Sequence, residues 1–136
     1  MGLSAAGCYP EAVEAGADYL ANGPLLPVRA QSIVTFHMAR NLARTGDHAG
    51  AAHLAAASRR FDQPADAALD WNTYVQGFYG YLTGNRPLLD ASYERLIAAG
   101  GESNATNAGV LGRARRCFKL PFAEVETRDE CVAPKR

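Results

Sequence analysis

Four short stretches of this chain follow one plan, and their spacing limits the fold more than any other feature. Gly7-Cys8-Tyr9-Pro10-Glu11-Ala12, Gly46-Asp47-His48-Ala49-Gly50-Ala51 and Gly84-Asn85-Arg86-Pro87-Leu88-Leu89 each set a glycine, a small or polar residue and a bulky residue ahead of an apolar-faced segment. Lys119-Leu120-Pro121-Phe122-Ala123-Glu124 is a looser copy. The anchors at 7, 46, 84 and 119 stand 39, 38 and 35 residues apart. Glycine enters the left-handed conformation that ends many helices at little cost. The plan therefore predicts helix–turn–helix hairpins repeated along the chain.

Alanine-rich helix formers fill the spaces between these marks, and no segment sustains an apolar–polar alternation of period two. Further punctuation falls at Gly23-Pro24, Pro27, Pro64, Gly100-Gly101 and Pro121. We read seven helices, near 10–22, 28–45, 48–61, 65–83, 87–99, 104–118 and 121–130, joined by short turns. Ser103 or Asn104 is the expected cap of the sixth. The expected fold class is all-α, a right-handed stack of antiparallel helix hairpins. It forms a single domain over 1–136, long enough to bury a core.

The hairpin plan resembles the tetratricopeptide repeat, which has a glycine at the turn, an aromatic residue two positions on, an alanine five positions on and a proline near the end of the second helix. Gly7, Tyr9, Ala12 and Pro24 match it, as do Gly46, His48 and Ala51, with Pro64 one position late. In the third copy Gly84 fits, whereas Arg86 stands for the aromatic and Leu89 for the alanine; the fourth copy lacks the glycine. The likeness spans nearly the whole chain, with repeats longer than the family's own. It implies a tetratricopeptide-like α-α superhelix in which the first helix of each hairpin lines a concave groove that docks peptides. On this pattern the chain opens on the second helix of a hairpin, as a cap or as a hairpin whose first helix is missing.

The candidate site residues follow from helical faces. His48 and His53 lie five residues apart, about 140° around a helix, so they do not share the face that metal ligands three or four apart would. Asp47 reads as a helix N-cap and His48 as packing at the turn, with no metal and no cofactor expected. On 48–61, Ala51, Leu54, Ala55, Ser58 and Phe61 share a core face. On 28–45, Val34, Met38 and Leu42 form an apolar stripe beside Ala39 and Ala43, and His37, Arg40, Asn41 and Arg44 occupy the opposite arc. Arg40 and Arg44, one turn apart, repel unless something negative meets them. On 70–82, Trp71, Tyr74, Val75, Phe78, Tyr81 and Leu82 read as core, and Thr73, Gly77 and Gly80 as a strip for a close neighbour; Asn72, Gln76 and Tyr79 form the accessible edge. In Arg113-Ala114-Arg115-Arg116, Arg113 and Arg116 lie off the Val110–Ala114–Phe118 stripe. With the repeat resemblance, His37, Arg40, Arg44, Asn72, Arg113 and Arg116 make a partner-binding groove that selects carboxylates.

Fourteen basic and fourteen acidic residues cancel, so no net field favours nucleic acid or a membrane surface. No apolar run approaches the roughly 18 residues of a bilayer span. Three function classes remain. The first is a non-catalytic interaction or scaffold module that binds an acidic protein or peptide. The second is a self-assembling homo-oligomer or a piece of a larger helical-repeat protein. The third is an enzyme using His37 as acid and base, which the missing nucleophile elbow, phosphate-binding glycine loop and metal-spaced ligands argue against. Cys8, Cys117 and Cys131 also lack metal spacing. They are either small thiols, or Cys117 pairs with Cys131 to tie down the C-terminal segment in an oxidising compartment. The first residues do not form an intact signal peptide, so the cytoplasm is expected, or the periplasm or exterior if a leader was removed.

Overall fold

The computed structural model describes residues 7–132, and among them every regular element is helical. In order these are α1 (Tyr9–Asn22), α2 (Val28–Arg44), α3 (His48–Ala57), α4 (Trp71–Leu82), α5 (Arg86–Ala99), α6 (Glu102–Arg116), α7 (Phe122–Thr127) and α8 (Asp129–Val132). Eight helices among the described residues replace the expected seven, because the last one breaks at Arg128, where ψ is 135°. No helix there is long and apolar enough to cross a membrane.

The shared sequence plan is one backbone turn made three times. Gly7, Gly46 and Gly84 have φ of 80°, 96° and 73°, conformations that a side chain would strain. The next residues, Cys8, Asp47 and Asn85, have ψ of 64°, 77° and 84° before their helices start. Asp47 and Asn85 accept hydrogen bonds from the N–H groups of Gly50 and Leu88, satisfying donors that a helix start leaves open. The copy at 119 has no glycine. There the Leu120 N–H donates to the Cys117 carbonyl, and Pro121 opens α7 instead.

Short turns fold α3 back along α2 and α5 back along α4, and each helix from α1 to α6 packs on the next. α4 also packs on α6. Phe36 of α2 meets Trp71, Tyr74 and Phe78 of α4, with ring centroids 5.3, 5.0 and 5.3 Å apart. On the other side of α4, a Cβ at Gly77 would lie 2.5 Å from Leu111 Cδ1 of α6 and 2.9 Å from Ser92 Cβ of α5. Only a bare backbone admits both neighbours, so α4 is enclosed on opposite faces. Trp71 is buried and donates its indole N–H to the Ser58 carbonyl at 2.8 Å. α1, by contrast, packs chiefly on α2 and buries none of its residues.

Residues 58–70, expected to be mostly helical, form a connection, and Phe61 is 88% exposed rather than part of the α3 core face. Tertiary hydrogen bonds overrule the local preference. Asn72 accepts from the Arg60 N–H and donates to the Arg60 carbonyl, while Gln63 accepts from the Asn72 N–H. Asn104, buried on α6, accepts from the Asp70 N–H and donates to the Ala68 carbonyl. α6 starts at Glu102, ahead of both expected caps, and Gly101 occupies its N-cap position.

Candidate functional site

The chain after α6 turns back over the stack. Cys117 is bonded to Cys131, their Cα atoms 5.6 Å apart, and α7 reaches from α6 to α2. Phe122 is buried against Phe78 and Tyr81 of α4, with centroids 5.1 and 6.1 Å apart. Its N–H donates to His48 Nε2 at 3.3 Å, and the Tyr81 hydroxyl donates to the Leu120 carbonyl at 2.5 Å. Burial lowers the His48 pKa, favouring the neutral ring that can accept this bond. Within the described residues, then, His48 packs on Tyr81 and anchors α7, and His53 is exposed.

One helical turn after Phe122, Glu126 meets α2. Arg44 donates Nε and Nη2 to its two carboxylate oxygens at 2.6 and 2.8 Å, and Arg40 Nη2 adds a bond of 3.0 Å. The three side chains keep only 16–26% exposure. Burial pushes the Glu126 carboxyl up, but the hydrogen bonds and charges of Arg44 and Arg40 outweigh it and hold the group below the usual carboxylate range. Arg44 is further fixed by donating to Asn41 Oδ1 at 2.7 Å, with its guanidinium 5.4 Å from the Tyr9 ring centroid and 5.9 Å from that of Phe122. Arg40 Nε is buried without a hydrogen-bond partner among the described residues.

Arg113 of α6 acts on Tyr74 of α4 together with the α2 arginines. Burial raises its phenol, and Arg40, Arg113 and Arg44 oppose that shift while Glu126 adds to it, so α2, α6 and α7 all bring charge to one ring. His37 is exposed at the edge of the same field; desolvation, then Arg40 and Arg44, lower its pKa and leave it neutral near pH 7. Arg113 is partly buried and has no ion pair among the described residues.

Arg40, Arg44 and Arg113 thus bear on the same ring, with His37 on α2 feeling the first two, whereas Asn72 and Arg116 are used elsewhere. Asn72 pins the 58–70 connection, and Arg116 donates from Nε to the Cys131 carbonyl at 2.9 Å. Glu126 escaped the sequence reading. Its signal was the acidic run from Glu124 to Glu130, lying between two cysteines and following a basic cluster. Among the described residues no group of three or more histidine, cysteine, aspartate or glutamate side chains is placed to hold a metal ion. No protein-family model, curated protein or solved structure matches this chain.

Proposed function

We propose that this protein is a non-catalytic, tetratricopeptide-like helical-hairpin module that binds an acidic segment of a partner protein on the face formed by α2, α4 and α6. One observation carries the reading: the face already holds a carboxylate presented by a short helix, Glu126 of α7, through three N–H bonds from Arg44 and Arg40. Arg113 and His37 extend the face beyond Glu126. A partner carboxylate would engage Arg113 first and replace Glu126 at Arg40 and Arg44. The Cys117–Cys131 bond favours an oxidising compartment over the cytoplasm.

The test is a titration with a helical peptide bearing glutamates one turn apart, across a salt series. Glu126→Ala should strengthen binding because it removes the internal competitor, and Arg113→Ala should weaken it. Equal affinity in all three proteins would remove the reading. A second reading, assembly with another copy or with further repeats, rests on α1. It follows the same glycine turn as α3 and α5, yet leaves Tyr19 and Leu20 44% and 37% exposed. Light scattering across a concentration series separates the two, since a monomer throughout leaves only the first.

A further inference from the structure

The turn from α6 into α7 borders an open cleft of about 340 Å³, remote in sequence from Arg40 and Arg44. Arg86, Arg115, Arg116 and Lys119 line it, with Phe118 and Leu120 as an apolar wall. In a chain whose charges cancel overall, four cations on one cleft are a local excess. Asp90 is the carboxylate tied to them among the described residues. Its Oδ1 accepts from Arg86 Nε at 3.0 Å and from Arg115 Nε at 2.8 Å.

These bonds use only the inner nitrogen of each guanidinium. The outer nitrogens, Nη1 and Nη2 of both arginines, have no hydrogen-bond partner among the described residues. Each of the two side chains also lies against an aromatic ring. The Arg86 guanidinium lies 5.3 Å from the Phe118 ring centroid, and that of Arg115 lies 4.3 Å from the Tyr93 centroid. Donors held in place by a carboxylate and a ring lose little freedom when an anion arrives. Arg116 spends Nε and Nη2 on the carbonyls of Cys131 and Val132 and contributes mainly its charge. Lys119 is exposed and has no ion pair among the described residues.

We propose that this cleft binds a phosphoryl dianion, either inorganic phosphate or the phosphate group of a small molecule. A tetrahedral oxyanion with two charges can accept from both guanidiniums and the Lys119 ammonium at once, and its charge suits four cations set against one carboxylate among the described residues. Phe118 and Leu120 would then contact whatever the phosphate carries.

Calorimetric titration of the full chain with inorganic phosphate and with phenyl phosphate, against sodium chloride at matched ionic strength, tests this. Saturable binding of either phosphate that chloride does not reproduce is expected. Equal affinities assign the site to the phosphoryl group alone, and tighter phenyl phosphate adds the apolar wall. Arg115→Gln should weaken binding about tenfold or more, as expected for a charge-assisted contact. That variant also loses its bond to Asp90, so Lys119→Gln, which breaks no hydrogen bond or ion pair among the described residues, provides the clean arm and should lose about fivefold. Arg59→Gln, on the 58–70 connection, should bind as wild type does. Binding that chloride matches, or that Lys119→Gln and Arg115→Gln leave unchanged, overturns the proposal.

Discussion

Replacing Glu126 by glutamine keeps the side chain's shape and removes the charge that two guanidiniums share. The carboxylate accepts three N–H bonds, at 2.6, 2.8 and 3.0 Å. An amide can offer one oxygen to Arg44, but its nitrogen then sets a donor against a donor. Hydrogen bonds to charged groups contribute about 1.5–3 kcal/mol, and breaking a fully buried pair costs about 3–5 kcal/mol. These side chains retain 16–26% exposure, so solvent offsets part of the loss. We expect Glu126→Gln to cost about 2 kcal/mol at neutral pH, or roughly 5–10 °C in Tm. The carboxyl's folded pKa lies below its unfolded one. Its stabilisation is therefore complete above the unfolded value, ~4.3, and is lost as pH falls through the folded value. Wild type and variant should differ fully at neutral pH and draw together below about pH 4. Urea melts across that range measure both effects. A neutral-pH deficit under about 0.5 kcal/mol, the usual range for a surface substitution, would refute the coupling of α7 to α2 through this carboxylate. So would a deficit that does not narrow in acid.

Gly77→Ala should destabilise by about 1–3 kcal/mol in urea melts, because Ser92 Cβ stands 2.9 Å from the new methyl and α5 must shift. A neutral result would mean that the helices around α4 can part without cost. Cys131→Ser opens the 14-residue span closed by the disulfide and should cost about 3 kcal/mol, with faster proteolysis after α6 as the accompanying readout. His48 has its pKa lowered by burial despite Asp47, so its stabilisation is present above the ordinary value, ~6.5, and is lost as pH falls below it. His48→Phe keeps a ring against Tyr81 and should lose less stability than wild type between about pH 7 and 5, with His37 supplying the remaining slope; identical slopes would count against the His48 bond to Phe122.

What was legible in the sequence was whatever neighbouring residues decide. Gly46-Asp47 and Gly84-Asn85 carry both the positive φ and the capping side chain of their turns. The α4 pattern placed Trp71, Tyr74 and Phe78 in the core and left Gly77 for a close neighbour. Residues 58–70 misled because Ala65, Ala67 and Ala68 favour a helix locally, while the bonds that prevent one come from Asn72 and Asn104. The site was harder still. Glu126 pairs with Arg44 across 82 positions of sequence, and no helical periodicity reports such a contact. Arg113 and Arg116 read alike on one face, yet the bond between Cys117 and Cys131 draws Arg116 to the returning chain and leaves Arg113 by Tyr74.

The central claim is that the α2–α4–α6 face receives a partner's carboxylates. Backbone amide shifts of the isotopically labelled protein, followed as an unlabelled peptide with glutamates one turn apart is added, test it most directly. Saturable shifts centred on His37, Arg40, Arg44 and Arg113, with matching movement of Glu126 as it is displaced, are the expected result. Shifts confined to α3 and α5, or none at all at low salt, would contradict it.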